Sequence, residues 1–172
     1  KNPLLQILEE GGFFMGKKLS LLMFSGEFDK ALAALVLANT AREMNMDVTM
    51  FFAFWGLSLV RDPDEMADED KTLWEKMIAN MTPKSIEDLP LSKMNFAGIG
   101  KKMLEEMMED SDTPPITAFF KGALNKGVIM KACKLSCEVM GFSDKELLDE
   151  VEIITAEDYL KDALESDIQL FI

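Results

Sequence analysis

The chain carries two thiols and no histidine. Both thiols fall in one segment, Gly127-Val-Ile-Met-Lys-Ala-Cys133-Lys-Leu-Ser-Cys137-Glu-Val-Met-Gly141. The apolar run Val128 to Met130 suits a strand inside an α/β sheet, and Cys133 stands where that strand gives way to a short helix. Open α/β sheets bind and react at that edge. A thiolate, not a thiol, is the attacking species, and a helix start with Lys131 and Lys134 as neighbours favours it. Cys133 is therefore the candidate nucleophile, expected to have a thiolate pKa below that of a free cysteine. Cys137 lies one helical turn further on, on the same face as Cys133 and beside apolar Met140. Core packing explains it as well as a role as a second, resolving thiol does.

The lack of histidine excludes whole classes of chemistry. Ser-His-Asp and Cys-His pairs, histidine zinc sites and imidazole general bases cannot be assembled from this chain alone. Two cysteines cannot complete a four-thiolate zinc site, and the carboxylates show no metal-ligand spacing. No metal and no cofactor is expected.

The length of 172 residues suits one domain, and 48% hydrophobic residues supply its core. A net charge of −13, with 18 basic residues scattered along the chain, opposes phosphate backbones, so nucleic acid is not an expected partner. Two cysteines without a cystine framework fit a reducing compartment, and no segment has the apolar length to cross a bilayer; the chain reads as cytoplasmic, with no membrane partner. Residues 1–12 resemble a short amphipathic helix ended by Gly11 and Gly12, rather than a secretory signal.

The elements that must position the thiols follow from the apolar pattern. Residues 18–24 form a continuous apolar strand, the Ser25-Gly-Glu turn leads into a helix over about 28–44, and residues 47–54 form a second strand rich in aromatic and β-branched side chains. That order implies a right-handed crossover and parallel pairing. Trp55 and Gly56 end the second strand at the same edge as Cys133. Ser25 and Asp29 are expected to cap the helix and to shape the mouth of the site; a single glycine followed by acids does not make a phosphate loop.

Residues 62–113 read as an insertion: an acidic run, a helix near 71–80, then a long irregular piece with Pro83 and Pro90. Its methionines, Met81, Met94, Met103, Met107 and Met108, mark an adaptable apolar flap, either a lid over the thiol or a subunit interface. The flap is expected to be largely buried in either case. Gly98-Ile-Gly-Lys-Lys102 is a weak match to an anion-binding turn. After Pro115 come a helix to Asn125, the strand and the cysteine helix, a capping box Ser143-Asp-Lys-Glu146, a strand over 151–155, a helix over 156–165 and a terminal strand over 168–172. Five strands with helices between them predict a three-layer α/β/α sandwich with a mostly parallel sheet.

Three blocks in order carry a resemblance: Asp47-Val-Thr-Met-Phe-Phe-Ala-Phe-Trp-Gly-Leu57, Leu89-Pro-Leu-Ser-Lys-Met-Asn-Phe96 and Ala132-Cys-Lys-Leu-Ser-Cys-Glu-Val-Met-Gly141. From Lys18 to Ile172 the chain resembles the DsrE/DsrF-like family. The resemblance implies a flavodoxin-like sandwich, usually assembled as an oligomer, with trimer or hexamer preferred. It also implies transport of sulfane sulfur as a cysteine persulfide, with TusA-like sulfur carriers and rhodaneses as partners. The family's sulfur-bearing cysteine falls on Cys133 within an Ala-Cys-x-x-Ser pattern closed by Ser136. Cys137 departs from it, since relatives have methionine or another apolar residue there.

The expected function is sulfur transfer through a Cys133 persulfide, with Lys131, Lys134, Ser136, Ser25 and Trp55 shaping the site. Whether this makes the protein an enzyme or a carrier turns on measured turnover. Two alternatives stand beside it: a thiol-disulfide or peroxide reductase using Cys133 and Cys137, and a non-catalytic oligomeric binding module whose working surface is the flap.

Overall fold

The computed structural model describes residues 16–65 and 71–172. The helix expected over 1–12 and the end of the acidic run, 66–70, lie outside the described residues.

Five strands, β1 (Lys18–Met23), β2 (Asp47–Phe52), β3 (Ile129–Cys133), β4 (Val151–Ile154) and β5 (Ile168–Phe171), form one sheet in the order β4-β3-β2-β1-β5. Every pairing is parallel, with Leu21 level with Met50, Met50 with Met130 and Met130 with Val151. The helices are α1 (Phe28–Glu43), α2 (Leu73–Met81), α3 (Ile99–Asp110), α4 (Ile116–Asn125), α5 (Lys134–Met140) and α6 (Ala156–Leu164). The expected α/β sandwich with a parallel five-stranded sheet is present.

Side chains alternate between the two faces of a strand, and here the faces have unequal cover. Leu19, Leu21, Met23, Val48, Met50, Phe52, Met130 and Ala132 enter the main core with Phe28, Ala31, Ala34, Leu35 and Ala38 of α1 and Ile116, Phe120 and Ala123 of α4. The run of alanines lets α1 lie close on the sheet. Asn39 locks α1 to α4 by donating to the Phe119 carbonyl at 2.9 Å. The other face holds a smaller cluster, Phe51, Ala53, Cys133 and Ile154, with Leu22 and Tyr159 of α6 packed against it. Among the described residues one nine-residue helix, α6, supplies that third layer.

Two expectations are corrected. Ser25 and Asp29 do not cap α1: the N-cap is Glu27, whose side chain makes no cap bond. Asp29 instead accepts from the backbone amide and hydroxyl of Ser92, at 2.9 and 2.5 Å, tying the insertion to α1. Burial pushes the Asp29 carboxyl up, but the two Ser92 donors, with the Asp29 backbone amide and Lys30, together hold the group below its ordinary value. The Ser25 hydroxyl accepts from Lys30 at 3.2 Å. The second correction concerns the piece following α2, which is irregular only up to residue 98. Beyond it α3 runs for 12 residues, with Leu104 and Met108 packed on the core and Ile99, Met103 and Met107 on an outer stripe. A left-handed run, Met94, Phe96, Ala97 and Gly98, separates α3 from the prolines.

The insertion is fastened by a buried charge cluster. Arg61 bridges to Leu147 through the backbone, and its Nη1 donates to Thr82 Oγ1 at 2.9 Å and to the carbonyls of Ala79 and Pro83 at 3.1 Å. The guanidinium lies 4.5 Å over the Phe142 ring. Glu146 is fully buried and sits 2.5 Å from Lys71 Nζ and 3.9 Å from Arg61 Nη2, while its other oxygen accepts from the Ser143 amide at 2.9 Å.

Candidate functional site

Parallel pairing brings the C-terminal ends of all strands to one edge, and Cys133 is there as the last residue of β3 and the N-cap of α5. It is 7% exposed and packs in the smaller cluster, on the thinly covered face. Its side chain makes no cap hydrogen bond. Lys131 precedes it on the same face of β3, level with Phe51 and Glu152. Lys134, the first residue of α5, is exposed. Among the described residues neither lysine has an ion-pair partner. Ser136 is fully buried three residues beyond Cys133, and its hydroxyl has no hydrogen-bond partner among the described residues.

Cys137 goes elsewhere. It is 3% exposed in the main core, with Met140 and Phe142. Burial, then the neighbouring Cys133 and Glu138, push its thiol up to about 12, so it is protonated at neutral pH. Both cysteines are free thiols.

Trp55 belongs to a 3-10 segment (Phe54–Leu59) leaving β2. Here backbone meets backbone: a Cβ on Gly56 would lie 2.0 Å from the Met23 carbonyl oxygen, and one on Gly26 would lie 2.6 Å from that of Trp55. Glycine is required at both positions. Gly26 and Trp55 share a recess of about 300 Å³ with Ser58, Met81, Thr82 and Pro90. Trp55 thus faces a hollow beside the insertion; neither Ser25 nor either cysteine lines it. A cavity of about 620 Å³ between α3 and α4, floored by Phe28, Met108 and Ile116, also excludes both cysteines.

No described residue of the insertion joins the cluster around Cys133; Ala79, Ile86, Leu89 and Met108 pack on the main core. These contacts anchor the insertion on the opposite side of the sheet, and within the single chain Met81, Met94, Phe96, Met103 and Met107 are exposed rather than packed on its own core. Lys101 turns inward, over the Phe28 ring at 5.2 Å and onto the Glu87 carbonyl, so it does not serve the turn that weakly matched an anion-binding pattern.

An exposed aromatic group escaped the sequence reading. Phe24 lies 5.7 Å from Phe54 and 5.8 Å from Phe171, centroid to centroid, at the C-terminal ends of β1, β2 and β5. Phe54 has φ of 48°, a left-handed conformation costly for a bulky residue. Spacing in the sequence carries no sign of it. Among the described residues no group of three or more Cys, Asp or Glu is arranged to hold a metal, and no helix is long and apolar enough to cross a membrane.

Comparison with known proteins places this geometry. The chain is 36% identical over 156 residues to the protein YrkE of Bacillus subtilis (strain 168), covering 91% of this chain and 97% of that one. It is 26% identical over 156 residues to the sulfur carrier protein DsrE2 of Allochromatium vinosum, covering 91% and 98%. The crystal structure of the ychN protein from E. coli shares the fold with a TM-score of 0.53 at 16% identity, over 91% of this chain and 99% of that one. The profile of the DsrE/DsrF/DrsH-like family matches residues 15–171, and the chain belongs to that family.

Proposed function

We propose that this protein carries sulfane sulfur as a persulfide on Cys133 and passes it to the thiol of a partner protein, within the sulfur-relay role that its family supports. The observation that carries the reading is the place of Cys133, at the C-terminal end of an interior strand on the face that, among the described residues, a single helix covers. The name of the Allochromatium vinosum relative, a sulfur carrier, supports it.

The chemistry needs no histidine. The Cys133 thiolate attacks the outer sulfur of a persulfide or thiosulfate donor; a new S–S bond forms, the donor's S–S bond breaks, and the donor leaves as a thiolate or sulfite. The acceptor's thiolate then attacks the terminal sulfur and expels the Cys133 thiolate. Each step is displacement at sulfur, with no net electron transfer in the complete cycle. Lys131, Lys134 and the start of α5 are positive influences on the thiolate. The partner is a TusA-like carrier or a rhodanese, and the setting is the cytoplasm. The exposed rings of Phe24, Phe54 and Phe171 give such a partner an apolar contact at the same edge. A disulfide between Cys133 and Cys137 fits poorly, because Cys137 is protonated in the main core.

The test is intact-mass analysis after incubation with thiosulfate or polysulfide. Wild type and Cys137→Ser gain sulfur and Cys133→Ser does not; equal loading of all three overturns the assignment.

A further inference from the structure

The recess beside Trp55 is lined by polar atoms that the described fold leaves unused. Ser58, in the 3-10 segment after β2, is 1% exposed, and among the described residues its hydroxyl makes no hydrogen bond. A buried hydroxyl without a partner has given up its hydration and gained nothing for it, so such groups are rare in folded proteins. Glu27 lines the same recess, and its Oε2 is buried with no hydrogen bond. Lys30 Nζ stands 3.3 Å from that oxygen without donating to it, and donates to Ser25 Oγ instead. Lys30 therefore offsets part of the carboxylate's charge and leaves its acceptor open.

These groups define what fits. A carboxylate only accepts and a hydroxyl can accept, so the recess calls for a donor, and the carboxylate favours a positive one. The remaining walls, Trp55, Met81, Pro83 and Pro90, are apolar, and an indole face attracts a cation. A cation on an apolar stem matches both. At about 300 Å³ the recess has the size for one side chain. It shares Met81, Pro83 and Pro90 with a neighbouring hollow of about 460 Å³ bordered by Asn80 and Asp88, which gives the main chain of an occupant a groove to follow. The −13 charge of the chain draws a basic partner. Arginine fits less well than lysine, because a guanidinium carries five donors and the two open acceptors would leave most of them unpaired.

We infer that this recess takes the side chain of a lysine presented by a protein partner, its methylene stem against Trp55, Met81 and the prolines and its ammonium on Glu27 and Ser58. Neither cysteine lines the recess, and the inference does not depend on the sulfur-transfer reading.

NMR titration of the isotope-labelled full chain with n-butylammonium and with Nα-acetyl-lysine N-methylamide tests this. The indole N–H signal of Trp55 shifts saturably, while that of Trp74, on α2, is the internal control and does not. The lysine derivative binds several-fold more tightly than n-butylammonium, and n-butanol, butyrate and n-propylguanidinium bind more weakly than n-butylammonium. Glu27→Gln weakens binding of the lysine derivative by about tenfold. Lys30→Gln removes the competing ammonium and tightens it several-fold. Ser58→Ala weakens it several-fold without lowering the urea midpoint, since the hydroxyl it removes has no partner in the described fold; that pairing of effects separates a binding role from a structural one. No saturable shift at Trp55, n-butanol or butyrate binding as well as n-butylammonium, n-butylammonium or n-propylguanidinium binding as well as the lysine derivative, or affinity unchanged in both Glu27→Gln and Ser58→Ala each overturns the inference.

Discussion

The ring of Tyr159 lies flat on that of Phe51, centroids 4.3 Å apart and planes 14° from parallel. Through this stack α6 covers the sheet face that holds Cys133. Tyr159→Ala is expected to destabilise the protein by about 1–3 kcal/mol, through lost burial and ring contact. It also uncovers the thiol, so alkylation of Cys133 in the folded protein should quicken several-fold. Urea titration and timed mass spectrometry measure the two effects; unchanged alkylation would mean that Tyr159 does not gate access.

Stability should depend on Cys137 at alkaline pH. Its folded pKa is raised from 9.0 to about 12, mainly by burial. Below 9 the thiol is protonated in both states and the full contribution is present. Between 9 and about 12 the unfolded chain has released the proton and the folded chain still holds it, so the unfolded state binds fewer protons and stability falls as pH rises. The slope approaches ~1.4 kcal/mol per pH unit. Cys137→Ala should lack this component while costing roughly 1–2 kcal/mol at neutral pH. Denaturant midpoints for both proteins over that range decide it; parallel curves would show that Cys137 is not the titrating group.

Glu146 is the shared counter-charge of Lys71 and Arg61 in the buried cluster. Removing one member of a buried ionic group leaves the others uncompensated, so Glu146→Ala is expected to cost about 3–5 kcal/mol. Because Arg61 and Lys71 fasten the insertion, protease cleavage should appear first between α2 and α3. Sulfur loading per folded molecule should be unaffected, which separates this structural role from the thiol's chemistry. A loss below 1 kcal/mol would mean that solvent reaches the cluster.

Much of the architecture is legible in linear order. Five largely apolar runs become five strands: β1 and β2, mostly buried, are apolar along most of their length, and the exposed edge strand β5 still carries Ile168, Leu170 and Phe171. Ser143 and Glu146 read as a capping box since the motif is local, and the structure contains it. The DsrE-like resemblance was legible for the same reason: its blocks are short contiguous runs.

Only the tertiary structure decided the rest. That Cys133 and Cys137, a helical turn apart, enter different clusters depends on where β3 ends and α5 begins, and residues at the N-cap have already left the helical register. Asp29 looks like a cap in sequence but is taken by Ser92, a partner that exists only after the insertion folds back. Glu146 serves its local box and also pairs with Lys71 of the distant insertion, which no spacing encodes. Local hydrogen bonds and hydrophobic periodicity are written in neighbouring residues; the partner of a charge, and the face on which a thiol lies, are set by chain segments that meet only in three dimensions.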